Sequence, residues 1–128
     1  MGVIKINIGV TATPEFNDSA YVGEDIRREF QFSSETDGVT TPVDYTGWTA
    51  ISEIRNSPGT PVIATWTVIF EITPPSLVPN TISLFLPNAT SGGMDARDYC
   101  YDVKGTDPGG EDDYLFGGVF RLSDPCTA

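Results

Sequence analysis

The stretch that decides the fold lies near the C-terminus: RDYCYDV at residues 97–103, TDPGG at 106–110 and LFGGVFRL at 115–122. Tyr99, Tyr101 and Val103 alternate with polar residues, and this period of two is typical of a half-buried strand. A Gly-rich turn between two such segments is typical of a β-hairpin. These residues therefore predict an antiparallel hairpin that closes the domain.

The same period recurs upstream. Inward-facing sets are predicted at Ile4/Ile6/Ile8/Val10, Ile26/Phe30/Phe32, Trp48/Ala50/Ser52/Ile54 and Ile82/Leu84/Leu86. Residues 33–42 are loop-like in composition, 62–72 predict one bent strand or two short ones, and 88–97 hold the one candidate for a helical turn. Seven or eight short strands without a long helix predict an all-β fold, an immunoglobulin-like antiparallel β-sandwich. Its length predicts a single domain over residues 1–128.

Charge narrows the set of partners. Eighteen acidic against seven basic residues give a net charge of −11. This balance argues against nucleic acid as a partner, because phosphate binding depends on clustered Lys and Arg. No stretch approaches 18 consecutive apolar residues, so no membrane partner is expected either. The composition favours a highly soluble component that meets other proteins at a specific docking surface.

The residues needed for common catalytic sites are missing from the sequence. It contains no His, which removes most nucleophile–base pairs and the commonest metal ligand. No Ser lies in a Gly-x-Ser-x-Gly motif, and neither Gly92-Gly93 nor Gly109-Gly110 precedes the Lys-Ser/Thr of a phosphate loop. Paired carboxylates of a glycosidase are a weaker alternative, because among 18 acids some lie close by chance. We therefore predict a non-enzyme without catalytic residues or cofactor.

Two other features allow more than one interpretation. The acidic group Asp107, Glu111, Asp112 and Asp113 could offer oxygen ligands to Ca²⁺, but a solvated hairpin tip is favoured and no metal site is predicted. Cys100 and Cys126 could form one disulfide. Reduced thiols are favoured, because the first residues predict a strand and lack the apolar core of a secretory signal.

Three stretches, taken in order, resemble a known family. They are DYTGWTAISEIR at residues 44–55, NTISLFL at 80–86, and RDYCYDV at 97–103 followed by a Gly-rich hairpin and GGVFRL at 117–122. Together they are similar to phage virion domains with an immunoglobulin-like fold, including the N-terminal domain of phage baseplate upper proteins. The resemblance covers roughly residues 44–124.

This resemblance implies a virion protein of the tail, baseplate or fibre-attachment complex. Its implied partners are other phage structural proteins (tail, baseplate, fibre or coat subunits) and further copies of itself. The residues expected to define the fold are Gly47, Trp48, Ile54, Tyr99, Tyr101 and Phe120. Physical reasons support four of them: Gly47 permits positive φ, Trp48 is large enough to fill the space between sheets, and Tyr99 and Tyr101 can bury their rings while their hydroxyls stay hydrogen-bonded.

Several functional hypotheses follow. The first is a virion structural module whose N-terminal arm, residues 1–10 with Ile4, Ile6, Ile8 and Val10, pairs with another subunit. A capsid decoration protein is an alternative. A carbohydrate-binding module is a second alternative, and it requires solvent-facing aromatics among Trp48, Trp66 and Tyr114. Core packing is favoured for Trp66 and Phe70. An exposed ring at either position would instead mark an assembly surface or a sugar-binding platform.

Overall fold

The computed structural model describes residues 3–7 and 15–126. Its elements are β1 (Val3–Asn7), β2 (Asp18–Tyr21), β3 (Ile26–Thr36), β4 (Val39–Pro42), β5 (Thr49–Arg55), β6 (Val62–Glu71), β7 (Thr81–Leu86), α1 (Asn88–Ser91), β8 (Asp98–Thr106) and β9 (Asp112–Ser123). The predicted all-β class is confirmed, and α1 supplies the expected helical turn. Among the described residues, no helix has the length and apolar character needed to cross a membrane.

The strands form one hydrogen-bonded sheet that curls over on itself. Their order is β1-β3-β7-β6-β5-β8-β9-β2, with β4 paired to β3. Strand β6 joins the two halves: its first residues pair with β5, and residues 67–71 pair with β7. The halves face each other, because the Phe30 ring of β3 lies 4.4 Å from the Phe116 ring of β9. The expected bent strand over residues 62–72 is thus one strand shared by both halves.

The sheet is mixed, which differs from the wholly antiparallel sandwich expected from the sequence. Strand β1 runs parallel to β3, with Ile4 opposite Phe30, and β2 runs parallel to β9, with Ala20 opposite Leu122. A period of two shows which residues share a face, but it carries no information about the direction of the neighbouring strand. The immunoglobulin-like topology therefore stays a prediction.

The polar segment 33–42, expected to be a loop, forms a hairpin instead. Strand β3 continues to Thr36, and β4 returns along it with Thr36 opposite Val39. Asp37 and Gly38 both have positive φ, at 51° and 77°. An Asp-Gly turn of this kind matches the twist of the two strands it connects. This hairpin raises the strand count to nine.

The core lies between the two halves of the sheet. Side chains that are at most 2% exposed include Ile26, Phe30, Phe32, Ile54, Ile82, Leu84, Leu86, Val103, Phe116, Phe120 and Leu122. Eight of the eleven belong to the inward-facing sets predicted from alternation, whereas Phe116, Phe120 and Leu122 of β9 belong to no such set. Burying each such side chain contributes roughly 1.5–3 kcal/mol before conformational entropy is counted. The outward side chains of the same strands are left to form the surfaces considered next.

Candidate functional site

The turn before β5 gives a first outcome for the predicted fold-defining residues. Gly47 has the expected positive φ, 79°, and a Cβ there would lie 3.0 Å from Pro108 Cγ. Tyr45, which the sequence reasoning passed over, is buried to 3% exposure, whereas Trp48 is only partly buried and packs edge-to-face on it at 5.4 Å. Asp44 closes the turn by accepting hydrogen bonds from Thr46, which lowers the pKa of its carboxyl. Trp48 therefore covers the edge of the core, and Tyr45 enters it.

The tyrosine pair of β8 behaves as predicted. Tyr99 and Tyr101 are 3% and 6% exposed. The Tyr99 hydroxyl donates to the Asp95 carbonyl at 2.6 Å, and the Tyr101 hydroxyl donates to the Phe16 carbonyl at 2.7 Å. Burial is the main cause of the raised pKa of both phenols. Both groups thus act as neutral hydrogen-bond donors that fix chain segments.

The segment before β2 lies against β9 at Gly117 and Gly118. The Phe16 amide donates to the Gly117 carbonyl at 2.7 Å, and the Val119 amide donates to Asn17 Oδ1 at 2.8 Å. A Cβ on Gly118 would overlap the Phe16 carbonyl, lying 2.7 Å from its carbon atom. Phe16 can then place its ring 5.8 Å from that of Phe116. The Gly117-Gly118 pair therefore allows the segment before β2 to lie close against the backbone of β9.

The predicted N-terminal arm is only partly described. Ile4 and Ile6 lie in β1, which pairs with β3 of the same chain, whereas Ile8 and Val10 lie outside the described residues. Strand β1 stands at one end of the strand order, so in the described part of the chain its second edge is unpaired. The intersubunit role of this arm stays a prediction.

The acidic hairpin tip uses its carboxylates locally. Asp107 Oδ1 accepts from the Glu111 amide at 2.9 Å, and Asp112 accepts from the Thr106 hydroxyl at 2.7 Å and lies 3.8 Å from Lys104 Nζ. Within residues 3–7 and 15–126, no three Asp, Glu or Cys side chains come together in a group that could hold a metal ion. The thiols of Cys100 and Cys126 are free.

A hollow of about 470 Å³ beside β2 and β9 has two carboxylates in its lining. Its lining includes Asn17, Asp18, Asp98 and Arg121. Asp18 pairs with Arg28 at 2.5 Å, and Asp98 forms two hydrogen bonds to the guanidinium of Arg121, which lower the pKa of that carboxyl. A general acid needs the opposite shift, toward a raised pKa. This hollow is therefore arranged for charge pairing.

The aromatic residues considered for sugar binding do not share a surface. Trp66 is 4% exposed, and its ring packs 5.2 Å from Phe120, while Phe70 is partly buried against the core. Trp48 is also partly buried, whereas Tyr114 is 57% exposed. Core packing is thus confirmed for Trp66. Of the three residues named for a sugar-binding surface, Tyr114 is the one with more than half of its surface exposed.

The outward side of β5, β8 and β9 combines exposed apolar side chains with charges, and we call it the outer face. Its members are Thr49, Ile51, Glu53, Arg55, Asp98, Cys100, Asp102, Lys104, Thr106, Asp112, Tyr114, Val119 and Arg121. The pairing register arranges these residues in rows across the three strands. Ile51, Tyr114 and Val119 are 52%, 57% and 40% exposed. The outer face is therefore a surface of hydrogen-bonded strands that carries both apolar and charged side chains.

The charges of the outer face are arranged in an unusual way at its centre. Glu53 lies directly opposite Asp102 across β5 and β8. Like charges in that position destabilise a sheet. Glu53 is compensated by Arg55 at 3.0 Å, and the pKa of Asp102 is raised, first by partial burial and then by Glu53. Sequence reasoning missed this surface, because alternation marks such residues only as outward and polar.

Comparison with known proteins leaves the family of the chain open. No protein-family model and no curated protein matches it. A similar solved structure is a family 123 glycoside hydrolase from Clostridium perfringens, with 11% identity and a TM-score of 0.45 over 88% of this chain and 23% of that one. A chain from the complex of PbICP-C with falcipain-2 has 11% identity and a TM-score of 0.40, over 95% of this chain and 99% of that one. This chain thus spans about a quarter of the hydrolase chain.

Proposed function

We propose that the chain is a non-catalytic structural module of a phage virion, assembled in the tail, baseplate or fibre-attachment complex. The observation that carries the proposal is the outer face. Exposed Ile51, Tyr114 and Val119 stand there beside paired charges on a hydrogen-bonded sheet. Apolar groups framed by polar ones are typical of surfaces that bind proteins.

The residues of the family resemblance support the same proposal. Those stretches supply the turn before β5 together with β5, β7, β8 and β9. Strands β5, β8 and β9 are neighbours in the sheet. Most residues of the outer face therefore belong to the stretches that carry the resemblance. The resemblance and the docking surface therefore reside in the same part of the molecule.

A further contact is proposed at the N-terminal arm. Strand β1 is held by β3 on one side, and it follows the regular register from Val3 opposite Glu29 to Asn7 opposite Ser33. A strand at the end of a sheet can extend that sheet into a neighbouring subunit through main-chain hydrogen bonds. Pairing at the free edge of β1 would fix the strand register between two subunits, while the outer face would supply the larger contact area.

Purified phage particles test the proposal. Antibodies against this chain should label intact particles at the tail or baseplate in negative-stain electron microscopy, and the chain should be found by mass spectrometry in the same particles. Labelling on the head would replace the tail assignment by capsid decoration. If the chain is missing from particles that are otherwise complete, the virion proposal is wrong.

A further inference from the structure

The outer face has a charge balance unlike that of the rest of the chain. It carries four acids, Glu53, Asp98, Asp102 and Asp112, and three bases, Arg55, Lys104 and Arg121. Its own net charge is therefore −1, and −10 of the net charge of −11 resides on the other residues. Two copies of so acidic a protein repel each other in most orientations. The outer face is a surface on which a second copy can approach without that repulsion.

The order of the charges along the strands is informative. The register sets the members of four successive rows: Ile51/Lys104/Tyr114, then Glu53/Asp102/Gly117, then Arg55/Cys100/Val119, then Asp98/Arg121. A further row, Thr49/Thr106/Asp112, lies beyond the first, and its Asp112 is 3.8 Å from Lys104. The first row contains a base, the second two acids, the third a base, and the fourth an ion pair. A basic row thus borders the acidic row on each side.

We propose that the outer face binds a second copy of this chain, related by a two-fold axis that crosses the strands between the second and third rows. Such a rotation reverses the row order and keeps each strand over its own counterpart. Glu53 then faces Arg55 of the second copy, and the symmetry gives the reciprocal pair. Lys104 faces Asp98 of the second copy in the same way.

The alternative two-fold axis, along the strands, is disfavoured by the same register. It leaves each row over itself and exchanges β5 with β8. Glu53 would then lie over Asp102 of the second copy, and like charges facing each other across an interface cost several kcal/mol. The charge pattern therefore selects one of the two symmetric arrangements.

The apolar members of the face make the contact more than electrostatic. Ile51 and Tyr114 lie in the first row and Val119 in the third, at 52%, 57% and 40% exposure. Stacked sheets lie about 10 Å apart with strands crossing at about 30°, which side chains as long as Arg and Lys can bridge. Three strands spaced about 4.8 Å apart give a face about 14 Å wide. Such a face is at the low end of specific interfaces, so the dimer should be weak and reversible.

This dimer gives the proposed function a specific surface and partner, but it does not depend on the virion assignment. Two single charge reversals test it: Glu53→Arg gives a face with bases at 53 and 55, and Arg55→Glu gives one with acids at both positions. Sedimentation equilibrium should show that each reversal weakens self-association at least about tenfold. An equimolar mixture of the two variants should associate at least as tightly as the native chain.

The controls separate this surface from general charge effects. Arg27→Glu makes the same charge change as Arg55→Glu, but Arg27 lies on β3 over the Phe85 ring, outside the outer face. It should leave association unchanged. The double variant Glu53→Arg/Arg55→Glu restores opposite charges and should associate like the native chain, while circular dichroism checks that every variant is folded.

Three results would overturn the inference: a native chain that stays monomeric up to millimolar concentration, reversals that leave association unchanged, or a mixture that does not associate. Particle labelling is a separate readout. If labelling fails while the mixed variants associate, the dimer stands and the virion assignment falls.

Discussion

The Tyr101 hydroxyl donates a 2.7 Å hydrogen bond to the carbonyl oxygen of Phe16, 85 residues away in sequence. Tyr101 belongs to β8 and Phe16 to the segment leading into β2, which runs along β9. The bond therefore ties an early part of the chain to the closing hairpin. Because Phe16 packs near Phe30 and Phe116, this polar contact also positions an aromatic ring at the core.

Replacing Tyr101 by Phe should lower the free energy of unfolding by about 1–2 kcal/mol, because the Phe16 carbonyl loses its side-chain donor. Urea denaturation followed by Trp fluorescence measures the change. Tyr21→Phe is the matched control, since Tyr21 is 54% exposed and its hydroxyl can be replaced by water contacts. Equal effects of the two substitutions would show that the Phe16 contact contributes no stability.

Replacing Gly118 by Ala should be more damaging, because the new Cβ would overlap the Phe16 carbonyl. The segment before β2 must shift, and we expect a loss of about 2–4 kcal/mol together with weaker protection of the β2 amides in hydrogen exchange. Gly93→Ala is the control, since a Cβ there would lie 3.6 Å from its nearest neighbour, the Thr90 carbonyl oxygen. Unchanged hydrogen-exchange protection of the β2 amides in the Gly118 variant would contradict the close contact described between Gly118 and the Phe16 carbonyl.

The inward-facing residues of the long strands were predictable from sequence, and the reason is physical. Ile26, Phe30 and Phe32 recur at even positions, and each is at most 1% exposed. Alternation follows directly from strand geometry, so it survives without knowledge of the partner strand. Strand direction has no such local signal, which is why the parallel pairs of β1 and β2 were not anticipated.

Contacts between segments far apart in the sequence could not be predicted from it either. Phe16 stands in a connection with no alternation, and its role depends on the glycines of β9, a hundred residues later. Tyr45 is more deeply buried than Trp48, and the composition of the turn does not show which of its two aromatic rings enters the core. The outer face could be recognised only once the register had placed Glu53 opposite Asp102.

Phe116 should be the most sensitive core position. Its side chain is fully buried, and its ring lies within 6.4 Å of the rings of Phe16, Phe30, Phe32 and Tyr101. Phe116→Ala leaves a cavity where both halves of the sheet meet, and we expect a loss of about 3–5 kcal/mol in chemical denaturation. Val119→Ala on the same strand, 40% exposed, should change stability by less than about 0.5 kcal/mol. Similar losses at both positions would contradict the placement of the core.

Asp102 and Asp98 should respond to pH in opposite directions. The folded-state pKa of Asp102 is raised above its ordinary value of 3.8, first by partial burial and then by Glu53. Folding is therefore penalised while Asp102 is charged, and the penalty is relieved as pH falls through the raised pKa. Asp102→Asn should stabilise the chain near neutral pH by a few tenths of a kcal/mol, about the size of an exposed charge interaction. That gain should shrink toward about pH 4.

Asp98 supplies the matched comparison, because its hydrogen bonds to Arg121 lower the folded-state pKa of its carboxyl below 3.8. Its contribution is favourable above pH 3.8 and is lost as pH falls through the lowered pKa. Asp98→Asn should therefore destabilise the chain near neutral pH, with the difference from the native chain vanishing in strong acid. Urea denaturation at several pH values, at protein concentrations low enough to avoid self-association, measures both variants. A destabilising effect of Asp102→Asn at neutral pH would contradict the penalty that burial and Glu53 place on the charged form of Asp102.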